Sequence, residues 1–154
     1  MLDDLKYIHQ RDAQDALGIA EKQWQQLQHR YDAGASDMKD VENVVLAGMG
    51  GSALPGVFLQ SWPGLSVPIE IVRNYSVPAY VNGKTLFAAL SYSGNTEETL
   101  AALYEAEGRG AQIVVFAAGG KLAEIAQQKN YPLFKYPSGI QPRMTAFYAL
   151  AAFM

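Results

Sequence analysis

Apolar positions follow two different patterns along the chain, and these patterns divide it near residue 36. Over residues 17–31, apolar side chains recur every three or four positions, which predicts one N-terminal helix with a buried stripe. Gly34 and Ser36 then interrupt the pattern. We therefore predict an N-terminal helical segment over residues 1–36 and a separate domain over residues 37–154.

In this second domain, short apolar runs alternate with helix-like stretches. The runs are continuous rather than alternating, as is typical of strands that are covered on both faces. Strands are predicted at residues 44–47, 69–72, 86–90, 113–117 and 133–136. Helices are predicted at residues 52–61, 97–109, 121–129 and 144–154. This order predicts an α/β fold: a doubly wound, parallel, five-stranded sheet in a flavodoxin-like three-layer sandwich, preceded by the N-terminal helix.

The composition argues against several classes of partner. The chain has 154 residues, 49% of them hydrophobic, and its formal charge of −3 includes no basic cluster that would hold a nucleic acid. It has no cysteine, which excludes disulfides, thiolate metal sites and cysteine nucleophiles. The N-terminus is acidic where a signal peptide is basic, and no run reaches the ~18 apolar residues of a membrane span. We expect a cytoplasmic protein without a membrane or nucleic-acid partner.

Polar residues crowd the start of one predicted helix. Ser-Tyr-Ser-Gly-Asn-Thr-Glu-Glu-Thr at residues 91–99 follows a predicted strand and opens a helix. Such a turn offers unpaired backbone N–H groups, the positive end of a helix dipole and rotatable hydroxyls, all of which suit a phosphate. Asn95 and Glu98 are spaced as a capping box, but one cap needs only one hydroxyl or amide. The turn thus has more hydroxyl and amide groups than a cap requires, and they lie at the carboxyl end of a strand, which favours a phosphate site.

A second glycine-rich turn keeps an alternative open. Gly-Met-Gly-Gly-Ser-Ala at residues 48–53 follows the first strand and formally matches a dinucleotide-binding fingerprint. That fingerprint requires an acidic residue after the second strand, whereas here Arg73 follows it. Because an arginine suits the additional phosphate of NADP, nicotinamide binding remains an alternative. A tight turn would explain the glycines but not Ser52.

The serines are predicted to bind rather than to attack. A serine nucleophile needs a nearby base, and His9 and His29 both lie in the N-terminal segment. No histidine and carboxylate pair has metal-ligand spacing. Arg143 stands at the start of the last predicted helix, where a cation is unfavourable unless an anion lies nearby. It is a candidate ligand contact, or else a solvated surface arginine.

Four motifs together resemble the bifunctional phosphoglucose/phosphomannose isomerase family. They are Gly-Met-Gly-Gly-Ser at 48–52, the run at 91–99, Gly-Gly-Lys-Leu at 119–122 and Gln-Pro-Arg at 141–143. Their order and spacing also match, over roughly residues 40–154. The Ser-x-Ser-Gly-x-Thr element by itself indicates only a sugar isomerase (SIS) domain, and Gln-Pro-Arg narrows the resemblance to this family.

The resemblance implies roles for individual residues. It implies a sugar-phosphate site formed by Ser52, Ser91, Ser93, Thr96 and the backbone of Gly51. Arg143 would stabilise charge on an enediol intermediate. The implied reaction of carbohydrate metabolism interconverts glucose 6-phosphate or mannose 6-phosphate with fructose 6-phosphate. No metal or organic cofactor is implied, and a homodimer is expected because the family builds its active site between subunits.

The chain departs from the family in extent. Family members have two SIS domains, and their glutamate base, ring-opening histidine and a lysine come from the second. The chain resembles only the N-terminal half, so we expect it to lack the proton-transfer base and to be inactive alone. The alternative is a stand-alone SIS domain that senses a sugar phosphate without turning it over.

Overall fold

One parallel sheet forms the centre of the part of the protein that is described, residues 3–32 and 38–153 of a computed structural model. Its strands are β1 (Asn43–Gly48), β2 (Ile69–Val72), β3 (Thr85–Leu90), β4 (Gln112–Ala117) and β5 (Leu133–Lys135). They lie in the order β2-β1-β3-β4-β5, and every neighbouring pair is parallel. The predicted α/β fold is confirmed, and each predicted strand bound lies at or next to the observed one.

Helices cover both faces of this sheet. The α-helices are α1 (Leu5–Arg11), α2 (Ala16–Glu21), α3 (Leu54–Gln60), α4 (Glu97–Gly108), α5 (Gly120–Lys129) and α6 (Ala146–Ala152). Shorter 3₁₀ helices occur at Gln23–Gln28, Gly50–Ala53 and Pro142–Met144. The apolar sides of α4 and α5 pack on one face, whereas α3 and α6 pack on the other. Among the described residues, no helix is both long and apolar enough to cross a membrane.

The strands are apolar throughout because each face contributes to a different core. Val45 packs with α4 and α5, while the next residue, Leu46, packs with α3 and α6, and both are fully buried. Burying one such side chain contributes about 1.5–3 kcal/mol relative to leaving it exposed. The last helix is docked on the sheet: Leu150 is 5% exposed, and Phe153 stacks on Phe116 with ring centroids 5.4 Å apart.

The prediction of one N-terminal helix with a buried stripe is wrong. Over residues 17–31 the chain forms most of α2 and then the 3₁₀ helix Gln23–Gln28. The earlier helix α1 is separate, because the Asp12 carboxylate accepts hydrogen bonds from the backbone N–H groups of Ala16 and Leu17 at 2.8 Å and so starts α2. The Gln23–Gln28 helix then has about three residues per turn instead of 3.6. This change of period turns Trp24 to solvent, 56% exposed, and buries Gln26.

Two further predictions for the N-terminal segment concern its packing on the sheet domain and its boundary at residue 36. Leu27 packs partly against the core formed with α3 and α6, so part of the predicted stripe is in contact with the sheet domain. The break at Gly34 and Ser36, and with it the domain boundary at residue 36, lies outside the described residues. The division into two domains stays a prediction.

Candidate functional site

The carboxyl ends of β1 and β3 lie side by side at the centre of the sheet, where Gly48 pairs with Leu90. From β1 the chain continues to β2 on one side, and from β3 it continues to β4 on the other. The strand order therefore reverses between these two strands. In open α/β sheets, ligands bind in the crevice at this reversal point. Residues 49–53 and residues 91–96, both singled out from the sequence, leave the sheet there.

Residues 91–96, which we call the serine turn, bring three predicted ligand hydroxyls together. The hydroxyl of Ser91 lies 2.8 Å from that of Thr96 and 3.4 Å from that of Ser93. Ser91 is almost completely buried, at 1% exposure, and its Oγ also accepts a hydrogen bond from the N–H of Gly94 at 3.1 Å. Ser93 is exposed at the mouth of the turn.

The helix that follows the serine turn starts without a side-chain cap. Thr96 is the N-cap residue of α4, but its side chain makes no capping hydrogen bond. The capping box considered for Asn95 and Glu98 does not form: the Oδ1 atom of Asn95 instead accepts from the backbone N–H of Lys121 at 3.0 Å. The first N–H groups of an α-helix have no acceptor within the helix. Within the part of the chain that the structure describes, the α4 N-terminus therefore has no capping hydrogen bond from its N-cap side chain.

Glycines support the serine turn from the β4 side. Gly94 has φ +72° and Gly120 has φ +67°, which favour glycine, and a Cβ at either position would clash with backbone of the other loop. Two backbone hydrogen bonds join the loops: Ala118 N–H donates to Tyr92 O, and Leu122 N–H donates to Gly94 O, both at 2.9 Å. The Gly-Gly motif at residues 119–120 thus allows this loop to approach the serine turn closely enough for these hydrogen bonds.

Gly51, Ser52 and Arg143 come together on the β1 side of the crevice. The backbone of Gly51 lies against the Pro142–Met144 helix so closely that a Cβ on Gly51 would stand 2.7 Å from the Cα of Arg143. Ser52 is half-buried, and within the described residues its hydroxyl has no hydrogen-bond partner. Arg143 is exposed, and no carboxylate in the described part of the chain pairs with it. Both polar groups are available to a ligand.

Two residues that the sequence did not single out hold the segment that carries Arg143. We call residues 137–145 the arginine segment. The hydroxyl of Tyr92 donates to Pro137 O and accepts from Ile140 N–H, both at 3.0 Å. The Nε2 group of Gln26 donates to Met144 O at 2.6 Å. Tyr92 at least belongs to a recognised motif, whereas Gln26 lies 118 residues from its partner and carries no local signal.

Tyr92, Tyr136 and His29 are all held in contacts with other aromatic rings. Tyr92 stacks on Tyr136 at 5.9 Å between ring centroids, and burial raises the pKa of Tyr136 well above its usual range. His29 packs edge-on against Tyr31 and Tyr148. Within the described ranges, no three histidine, aspartate or glutamate side chains are grouped as a metal site requires.

The chain is similar in sequence to known enzymes that act on sugar phosphates. No protein-family model matches the chain. It is 40% identical over 132 residues to the bifunctional phosphoglucose/phosphomannose isomerase of Caldicellulosiruptor bescii, a match that covers 81% of this chain and 39% of that protein. It is 44% identical over 109 residues to the D-glucosamine-6-phosphate 4-epimerase of Sulfolobus acidocaldarius, covering 69% of this chain and 34% of that protein.

A solved structure shows the same fold. A hypothetical protein from Thermus thermophilus superimposes with a TM-score of 0.65 at 24% identity, covering 90% of this chain and 36% of that one. The chain thus spans about two fifths of the length of the curated isomerase that it matches. The resemblance predicted from the motifs is confirmed: over 81% of its length, the chain is similar to the bifunctional phosphoglucose/phosphomannose isomerase family.

Proposed function

We propose that this chain binds the phosphate of a hexose 6-phosphate at the serine turn, as part of a phosphosugar isomerase. The observation that carries the proposal is the convergence of the Ser91, Ser93 and Thr96 hydroxyls beside the uncapped N-terminus of α4. The relatives named as phosphoglucose/phosphomannose isomerases support the substrate class. The full reaction would interconvert glucose 6-phosphate or mannose 6-phosphate with fructose 6-phosphate through an enediol.

The serine turn suits a phosphate dianion through its hydroxyl donors and the dipole of α4, although Glu97 and Glu98 follow in the first turn of that helix. Hydroxyls that donate to a charged phosphate oxygen form bonds of about 1.5–3 kcal/mol each, and the dipole of α4 adds to them. Ser93 is exposed and would contact the ligand directly, as would Thr96. Ser91 is buried, so it would act mainly by orienting the Thr96 hydroxyl. Ser52 and the N–H of Gly51 would complete the site from the β1 side.

Arg143 would act on the sugar rather than on the phosphate. Moving a proton between C1 and C2 creates negative charge on an oxygen of the enediol, and a fixed cation stabilises that charge. The guanidinium of Arg143 meets no carboxylate in the described residues, so its charge is not neutralised within the site. The proposal gives these residues binding and charge stabilisation, and no proton transfer.

Epimerisation is a second candidate, because 44% identity over 109 residues links the chain to a D-glucosamine-6-phosphate 4-epimerase. Both substrates carry their phosphate on C6, so the serine turn would serve either reaction. The reacting carbon differs: C1 and C2 in the isomerase, C4 in the epimerase. The two candidates are separated by the sugar that the chain binds and by the product that forms.

A titration followed by phosphorus NMR tests the proposal. The chain is titrated with fructose 6-phosphate, glucosamine 6-phosphate, inorganic phosphate and NADP. We expect binding of a hexose phosphate that Ser93→Ala weakens by roughly ten- to a hundred-fold, since one charge-assisted hydrogen bond is lost. Ser66→Ala removes an exposed hydroxyl before β2 and serves as the control. Binding of NADP alone, or a Ser93→Ala variant that binds like the parent, would overturn the proposal.

The proposal extends to a homodimer in the cytoplasm. Residues 49–69 contain no charged residue, and large apolar side chains on and after α3 are exposed: Leu54, Val57, Phe58 and Trp62. Such a patch is typical of a protein–protein contact. Light scattering should give the mass of two chains for the parent and of one chain for Phe58→Asp. A parent that stays monomeric at high concentration would remove the dimer from the proposal.

A further inference from the structure

Within the described residues, the side chain of Arg143 makes no hydrogen bond or ion pair that would fix its position. It is exposed on the short Pro142–Met144 helix, and no described carboxylate holds it. Its placement in the crevice therefore depends on the backbone of the arginine segment. A cation stabilises developing charge best when it is already in place, because moving it during the reaction has a cost. The contacts that hold this segment are therefore relevant to chemistry.

Tyr92 ties the beginning of the arginine segment to the serine turn. Its hydroxyl makes two hydrogen bonds, to Pro137 O and from Ile140 N–H, and both partners are backbone groups. The ring is half-buried and stacks on buried Tyr136, so its position is fixed. Because Tyr92 stands between Ser91 and Ser93, one side chain connects the proposed phosphate site to the segment that carries Arg143.

Gln26 holds the other end of the segment. Its Nε2 donates to Met144 O, the carbonyl one residue beyond Arg143. The side chain is only 6% exposed, and its Oε1 atom is buried without a partner in the described residues. An unpaired buried oxygen destabilises a protein, so an apolar side chain would pack here at lower cost. What the amide of Gln26 provides, and an apolar side chain would not, is the hydrogen bond to Met144 O.

We propose that Tyr92 and Gln26 are positioning residues for Arg143. They hold the two ends of the arginine segment, while the backbone of Gly51 packs against its middle, beside the Cα of Arg143. The inference rests on the proposed function, since it assumes that Arg143 stabilises charge on the enediol. It adds that an N-terminal residue and a tyrosine of the serine turn determine how effectively Arg143 does so.

Two ligands separate positioning from binding. Fructose 6-phosphate represents the ground state, and a phosphorylated hydroxamate, whose planar anionic group resembles the enediolate, represents the charge that Arg143 would meet. For Tyr92→Phe and for Gln26→Met, we expect affinity for fructose 6-phosphate to stay within about threefold of the parent. Affinity for the hydroxamate should fall about tenfold. Its anionic group resembles the charged intermediate, so its binding depends on a correctly placed Arg143.

Matched controls remove similar groups that make no such contact. Tyr104→Phe deletes an exposed hydroxyl on α4, and Gln25→Met alters the exposed neighbour of Gln26. Both should leave the two affinities unchanged. In an Arg143→Ala background, Tyr92→Phe should cause no further loss of hydroxamate affinity, since the group that it positions is gone.

The outcomes separate the two proposals. Equal loss of both ligands, or an unchanged ratio of the two affinities, would overturn the positioning role. A parent that binds neither ligand would overturn the proposed function. Independently of any ligand, the NMR signal of the Arg143 Nε–H group should shift in Tyr92→Phe and in Gln26→Met but not in either control. An unmoved signal in both variants would also overturn the inference.

Discussion

The serine turn and the arginine segment meet in one crevice but are held in place in different ways. The serine turn is fixed by hydrogen bonds among residues 91–96 and by the backbone of the adjacent glycine loop. The arginine segment has one side-chain hydrogen bond of its own, from the Thr145 hydroxyl to Pro142 O, but its other contacts come from residues far away in sequence, at Gln14, Gln26, Gly51 and Tyr92. The serine turn is therefore shaped by its own residues and by one loop that follows the next strand, whereas the arginine segment depends on partners as far as 118 residues away.

The largest expected effect comes from the backbone of the serine turn. Gly94→Ala places a Cβ at φ +72° against the carbonyl of Gly119, which the backbone must move to accommodate. We expect a loss of about 3 kcal/mol or more in the free energy of unfolding. Urea unfolding followed by circular dichroism measures it. Gly108→Ala, where a Cβ meets open space in α4, should be neutral or stabilising. Equal stabilities of the two variants would show that close contact with the Gly119 backbone does not fix the serine turn.

A smaller effect is expected where the two regions touch. Gly51→Ala places a Cβ 2.7 Å from the Cα of Arg143, so the arginine segment must shift. We expect a loss of about 1–3 kcal/mol, the usual cost of overpacking, and NMR shift changes in residues 137–145 rather than in the serine turn. Gly50→Ala meets no atom within 4 Å and serves as a control for strain at φ +51° alone. Changes confined to the serine turn would show that the contact is assigned wrongly.

Removing one hydroxyl from each region sharpens the comparison. The Thr96 hydroxyl bonds to Ser91 and the Thr145 hydroxyl donates to Pro142 O, both at 2.8 Å. Changing either threonine to valine keeps the side-chain shape and should lower the free energy of unfolding by about 1 kcal/mol. Only Thr96→Val should also weaken phosphate binding in the NMR titration. If Thr145→Val weakens it equally, the phosphate is not held by the serine turn alone.

The smallest expected effect is a response to acid on α4. The carboxylate of Glu105 accepts from Val77 N–H at 2.9 Å and from Arg109 at 2.6 Å, and these contacts, the backbone bond above all, lower its pKa. A lowered pKa stabilises the fold above the unfolded value of 4.5, and that contribution disappears as pH falls through the folded value. Glu105→Gln should therefore flatten the fall in stability below about pH 5.

Hydrogen exchange locates this acid response. After correction for intrinsic rates, protection of the Val77 amide should fall on acidification, because its acceptor becomes protonated. Protection of the Ile140 amide, whose acceptor is the Tyr92 hydroxyl, should not respond in this pH range. Parallel loss at both amides would mean that acid acts on the whole fold rather than on α4.

The parts of the molecule that the sequence predicts well are those governed by local chemistry. Continuous apolar runs located all strands of the described sheet, since strands buried on both faces tolerate few polar residues. The hydroxyl-rich turn at residues 91–96 was recognisable because its donors and its glycine stand next to one another. In the structure these neighbours do contact each other.

Other features depend on contacts that no local pattern contains. Trp24 was expected in a buried stripe, but a switch to three residues per turn buries Gln26 instead, and burial there is decided by packing against α6. The bonds of Tyr92 to Pro137 and Ile140 span 45 and 48 residues, and that of Gln26 to Met144 spans 118. Spacing rules for helices and strands carry no information at such separations.

The Gln26–Met144 bond also has a consequence for the order in which a ribosome builds this protein. With 118 residues between the partners and about 5–20 residues added per second, Met144 is made on the order of ten seconds after Gln26. Throughout that interval, the 3₁₀ helix that contains Gln26 lacks α6, the helix against which it packs. The 3₁₀ helix that contains Gln26 is therefore anchored on α6 only after every strand of the described sheet has been synthesised.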